Sequence, residues 1–197
     1  MTKNSKEVYD SEMNRSVIQF DREKHVYQVN GKQLPGITGR IGKRLGKAFP
    51  PCLAELPVVA EAAEFGTSIH EDVELYLKEG KIPGHSASRF VCEFLDKNFP
   101  KWNYVRAAEL LVSDYKNVCT AIDIVAIDKD GNATIFDIKT GNFNREYCSW
   151  QLGIGKYLLE MDGDVKVTGH FVVNTKEKYV YKIIPKSRER CIALLYG

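Results

Sequence analysis

The sequence predicts an α+β domain, a mixed central sheet with helices packed on it, preceded by an N-terminal hairpin. Three observations predict it. Two segments with helical apolar spacing come early, at 57–79 and 86–98. Three strand-like runs, 103–113, 117–128 and 133–140, follow with only the short turns "DYKN" and "KDGN" between them. The type then alternates, with a helix at 145–161, strands near 165–174 and 178–184, and a helix near 186–196. The order α-α-βββ-α-ββ-α is that of an α/β or α+β domain.

A chain of 197 residues is expected to make one domain. Residues 1–15 are polar, read as a weakly ordered tail, and lack the apolar core of a secretory signal. Residues 16–197 are assigned to the domain, with 16–50 as hairpin and basic loop and 57–197 as helical layer and core. "SVIQFDREKHVYQVNG" (16–31) alternates apolar and polar residues around a charged turn, which suits a hairpin. "KQLPGITGRIGKRLGKAFPP", rich in Gly and Pro, is expected to be mostly loop or short helix.

In the 57–79 helix, Ala62, Phe65, Ile69, Val73, Tyr76 and Leu77 make the apolar stripe. Pro57 suits its first turn and Gly80 its C-terminal cap. In the 86–98 helix, Phe90, Val91, Phe94 and Leu95 form the buried side.

Residues 1–49 carry 10 Lys+Arg against 5 Asp+Glu, whereas residues 50–80 carry 1 against 7. Arg40, Lys43, Arg44 and Lys47 cluster among glycines, either as a phosphate-contacting arm or as a solvated basic loop. The five cysteines, at 52, 92, 119, 148 and 191, are widely spaced with no CxxC pair. Buried free thiols are therefore expected, rather than a zinc site or a cysteine-bound cluster. No run approaches the roughly 18–20 apolar residues of a membrane span, and a cytosolic setting is expected.

Two anomalies suggest chemistry. "ATIFDIKT" and "AIDIVAID" each place an acid inside an apolar strand. If the turn Lys129–Gly131 takes three residues, Asp128 pairs with Asn132 and Asp123 falls opposite Asp137. A slip of one residue puts the acids on opposite faces. In the favoured register their Cβ atoms are about 5 Å apart. Lys139, two residues beyond Asp137, shares its face. Counting back from Ser113, which pairs near Val118 if its turn is tight, Glu109 falls opposite Ile122 or Asp123. Carboxylates gathered in this way repel unless a cation joins them, and oxygen ligands favour Mg2+ or Mn2+. The DxK triplet alone is more often a surface salt bridge, worth about 0–1 kcal/mol.

The ordered set Glu109, Asp123, Asp137-Ile138-Lys139 and then Gln151 on a helix resembles the PD-(D/E)XK nuclease superfamily. It looks most like the RecB-like branch, which includes phage and bacterial exonucleases. That branch carries a "GxxxH" segment on an upstream helix, and "FGTSIHEDVELYL" supplies Gly66 and His70. "HVYQVNGKQLPGIT" is similar to the hairpin that opens several phage exonucleases of the group. The resemblance spans about residues 20–185. It implies a restriction-endonuclease-like core and a Mg2+- or Mn2+-dependent DNA exonuclease, acting through metal-activated water in phage or bacterial recombination or repair. It also implies His70, Asp123, Asp137 and the Ile138 carbonyl as metal ligands and Glu109 as their support. Lys139 would position the attacking water, and Gln151 would hold the nucleophile or the DNA end. DNA is the expected partner, with the basic 40–47 segment on its path, and a single-strand annealing protein is a candidate second partner.

Two features depart from the family pattern. Thr120-Ala121-Ile122 precedes Asp123 where a glycine is usual, and Gly155 stands where a tyrosine would share the face of Gln151. Tyr157, six residues after Gln151, is turned by about 240°. The cysteine set that holds an iron–sulfur cluster in some relatives is missing, so no cluster is expected. An endonuclease or nickase on the same fold, and an inert DNA-binding module, are the alternatives.

Overall fold

A computed structural model of the chain describes residues 7–10, 17–21, 26–46, 57–98, 104–163 and 165–197. Two sheets and five helices lie within them. Strands β1 (Glu7–Asp10), β2 (Val17–Asp21), β3 (Val26–Val29) and β4 (Lys32–Leu34) form an antiparallel sheet in sequence order. The expected hairpin is the β2–β3 pair. Phe20 and Tyr27 face each other in it, with rings stacked 4.4 Å apart. Residues 7–10, expected to lie in a weakly ordered tail, instead pair with β2 along Glu7–Phe20 to Asp10–Val17. The exposed edge of β2 offers amides and carbonyls that a further strand satisfies, whatever its polarity.

Within the Gly- and Pro-rich segment lies a short helix, one of the two forms expected of it: α1, Ile37–Arg44. Ile37 and Ile41, one turn apart, are both buried and dock it on the larger unit.

Helix α2 (Pro57–Glu79) ends at Gly80, whose φ of +69° and amide bond to the Tyr76 carbonyl (2.9 Å) make the expected C-cap. Ile69 and Val73 are buried as expected, but Phe65 is 42% exposed and Ala62 is also exposed. Helical spacing sets which side of α2 is apolar, not where the helix leaves the core. No side chain from Pro57 to Ser68 is buried. Asp72 joins α2 to α3 (Ser86–Asn98) by accepting from the amides of Gly84 and His85 and from Ser88 Oγ, at 2.7–3.1 Å.

The second sheet runs β5 (Tyr104–Ser113), β6 (Cys119–Ile127), β7 (Ala133–Lys139), β8 (Val167–Asn174) and β9 (Tyr179–Lys182) in that order. Only β7–β8 is parallel, the crossover being α4 (Arg145–Asp162). Helix α5 (Arg188–Tyr196) closes the chain, capped by Ser187. The sheet is thus mixed and flanked by helices on both faces. One core lies under α1, α4 and α5, another under α2 and α3, and a third joins the small sheet to Leu111 and Cys119.

Glycines set how closely α4 approaches its neighbours. A Cβ on Gly153 would lie 2.9–3.0 Å from backbone atoms of Lys186, and one on Gly155 would touch Ile122 at 3.4 Å. A tyrosine at 155 has no room between helix and strand.

Four cysteines, 92, 119, 148 and 191, are buried free thiols, and Cys52 lies outside the described residues. Among the described residues, no helix is long and apolar enough to cross a membrane.

Candidate metal centre

The β6–β7 turn decides the register. Asp128 donates its amide to the Asn132 carbonyl (2.9 Å), and its side chain accepts from the amides of Asp130 and Asn132 (2.9 and 2.8 Å). Gly131, at φ +80°, supplies the left-handed residue that this turn requires. Pairing then runs from Ile127–Ala133 to Ile124–Phe136, so the next pair in register is Asp123 with Asp137. Here the ladder changes. The Ile138 amide, next in line for a main-chain bond, donates to Asp123 Oδ2 at 2.6 Å.

On the other side of β6, Ala108–Ile124 and Leu110–Ile122 bracket Glu109, which therefore lies opposite Asp123. Glu109 has a φ of +54° in the middle of a strand. A non-glycine residue held there stores about 1–3 kcal/mol, and such strain clusters at functional sites. Its Oε1 lies 2.9 Å from His70 Nδ1, and the same nitrogen is 3.8 Å from Asp123 Oδ2. His70 arrives from α2, one residue after the buried Ile69.

Asp137 is 3% exposed. Lys139 Nζ lies 2.8 Å from each of its oxygens and 3.2 Å from Gln151 Oε1 on α4. The thiol of Cys148, one turn before Gln151, is 3.9 Å from Asp137 Oδ2. Reading the sequence missed this contact, because a buried cysteine on a helix carries no local signal of what its thiol faces.

Burial pushes both Asp123 and Asp137 above the usual carboxylate range; His70 and Lys139 act to lower Asp123, and Lys139 acts to lower Asp137. Burial works against protonated His70, but Asp123 and Glu109 outweigh it and raise the imidazole to about 9. Burial likewise opposes the charged form of Lys139, yet Asp137 and Asp123 hold its ammonium above its ordinary value.

The donor set suits a hard divalent cation. His70, Glu109 and Asp123 each offer one ligand atom, all within 4.8 Å of one another. Three carboxylates and one ammonium leave two uncompensated negative charges when His70 is neutral, and a divalent ion balances them. Asp137 stands next to this group, held by Lys139. Ile138 enters through its amide, whereas the resemblance had singled out its carbonyl.

The basic residues fall into two groups. Arg40 donates from Nη1 to the Leu195 carbonyl, joining α1 to the last turn of α5. That bond gives the charge a structural use at the end of α5. Lys43 and Arg44 are exposed at the end of α1, and Lys47 lies outside the described residues. Tyr157 packs against Tyr196 (ring centroids 6.5 Å) under Arg188, away from Lys139.

The chain matches no family model, and no curated protein matches it significantly.

Proposed function

We propose that this chain is a Mg2+- or Mn2+-dependent deoxyribonuclease of exonuclease type. One observation carries the proposal. Asp123 and Asp137 face each other where β6 and β7 stop pairing, with His70 and Glu109 against the first and Lys139 against the second. Residues from three strands and two opposed helix layers meet at one point, and a surface salt bridge needs no such assembly. The exonuclease mode rests on the resemblance to RecB-like enzymes.

His70, Glu109 and Asp123 would hold the ion, with Asp137 beside them. A bound divalent cation supplies Lewis-acid charge to a phosphate oxygen and lowers the pKa of a water. The chain's own groups do the rest. Asp137 and Gln151 hold the Lys139 ammonium from two sides, so its one remaining N–H can orient an attacking water or meet charge growing on the phosphate. The Ile138 amide fixes Asp123 Oδ2 and leaves Oδ1 as the freer ligand. Glu109 orients the imidazole of His70.

The test uses end-labelled linear DNA beside closed circular DNA, with Mg2+ or Mn2+. Mononucleotides released from ends, with circles intact, are the expected result. Nicked or cut circles identify an endonuclease. Asp137→Ala and Lys139→Ala proteins that stay folded should lose degradation, and wild-type activity in either overturns the assignment. An inert protein that also fails to bind Mn2+ in calorimetry indicates a binding module instead.

A further inference from the structure

The β9 edge of the large sheet carries a cluster of aromatic rings, one of which stands largely outside the core. Tyr179 and Tyr181 alternate onto one face, with ring centroids 4.7 Å apart, and Phe143 lies 5.1 Å beyond Tyr181. The Arg145 guanidinium covers the Tyr181 ring at 4.8 Å. Tyr181 and Phe143 rest against the core under α4, but Tyr179 is 58% exposed. Edge strands are ordinarily guarded by charge, which Lys178 and Lys182 already provide here, so an exposed tyrosine between them is unexplained by folding.

The register places these rings. Asp137 pairs with Val172 and Val172 with Tyr181; Lys139 pairs with Asn174 and Asn174 with Tyr179. The two tyrosines therefore lie in the same rows of the sheet as Asp137 and Lys139, two strands away, or about 10 Å. Cations surround them. Lys176 is bonded to Asn142 Oδ1 (3.0 Å) on the loop that leaves Lys139, and Arg145 and Lys182 line a groove that continues to Lys186 and Arg190. Two acids lie among them. Glu146 is paired with Lys186, and Glu177 accepts the Tyr181 hydroxyl proton, which fixes that ring.

We infer that Tyr179, backed by Tyr181 and Phe143, forms a stacking platform for an unpaired base of single-stranded DNA, with Lys176 and Lys182 meeting its phosphates. The choice of DNA rests on the deoxyribonuclease proposal. Aromatic faces beside a cationic track bind single strands with little sequence preference, because every base presents a π-face. The platform would receive the unpaired end next to the phosphate held at Asp137 and Lys139.

The experiment measures fluorescence anisotropy of labelled oligo(dT) and of a blunt duplex in EDTA, where no hydrolysis occurs. Loss of one stacking partner is expected to weaken oligo(dT) binding by Tyr179→Ala about 5- to 100-fold. Tyr179→Trp should restore it, duplex affinity should change less than about 2-fold, and the melting temperature should hold because the side chain is exposed. Equal oligo(dT) affinity in wild type and Tyr179→Ala overturns the platform. So does equal weakening of single strand and duplex, or an absence of oligo(dT) binding by the wild type. Tyr179-dependent binding in a protein that hydrolyses no DNA with Mn2+ leaves the platform standing and removes the nuclease proposal instead.

Discussion

The amide of Ile138 donates to the carboxylate of Asp123 at 2.6 Å, so a side chain of β6 takes the place of a main-chain acceptor for β7. The bond gives Asp123 two separable duties. Asp123→Asn keeps an oxygen for the amide and should keep the melting temperature, while losing Mn2+ affinity and DNA hydrolysis. Asp123→Ala leaves a buried donor unpaired and should also destabilise by about 1–3 kcal/mol. Urea denaturation of both variants beside calorimetric Mn2+ titration separates the duties. Equal stability of the two variants removes the structural one.

Glu109 is strained, and the strain is removable. Glu109→Gly relieves the left-handed backbone at φ +54° and should be more stable than Glu109→Ala by about 1 kcal/mol. Both variants lose the carboxylate that meets His70, so both should bind Mn2+ at least about 10-fold more weakly. Chemical denaturation and calorimetry read the two effects independently. Undiminished Mn2+ binding would take Glu109 out of the centre.

Lys139 is held by Asp137 and Gln151, and the two contacts predict different consequences. Lys139→Met removes the donor proposed to act on the water or phosphate and should lower the rate of hydrolysis about 10²- to 10⁴-fold. Its fold should survive, because burial lets Asp137 take a proton instead of standing as a lone charge. Gln151→Ala removes one of two holders and should cause a smaller loss. Single-turnover rates at saturating Mg2+ order the three proteins. A Gln151→Ala protein slower than Lys139→Met contradicts this ordering.

His170 on β8 is buried, and its Nε2 meets no hydrogen-bond partner. Burial, then the nearby Lys156, lowers its pKa from 6.5 to about 4, with Lys182 adding to them and Glu160 opposing. The folded state resists a proton that the unfolded chain accepts. The associated stability is fully present above pH 6.5 and is lost as pH falls towards 4. Asp123 and Asp137, raised in the folded state, contribute in the opposite sense, so the comparison must be with a variant. His170→Leu should show a shallower fall in melting temperature from pH 7.5 to 4.5 than the wild type. Parallel curves would show that His170 does not carry the acid sensitivity.

How far the sequence reaches is clearest around the acids. The register of β6 and β7 was legible only on condition that the turn took three residues, and Asp128, Gly131 and Asn132 close it in that way. Glu109 was placed only to within a residue, since its backbone geometry is imposed by packing and leaves no trace in composition. The exposure of Phe65 was hidden because helical spacing names a face and not how far along the helix that face stays covered. Arg40 looked like a free cation, but its partner is a carbonyl 155 positions away. The neighbourhood of Tyr181 and Asp137 depends on a parallel pairing across α4, which local pattern does not specify.

The centre draws His70 from a helix on one face of the sheet, Gln151 from a helix on the other, and its acids from three strands between them. All of these residues lie between positions 70 and 151, yet they meet only when helices on opposite faces have packed on the strands between them, so the centre comes together late in folding and is lost when either layer opens.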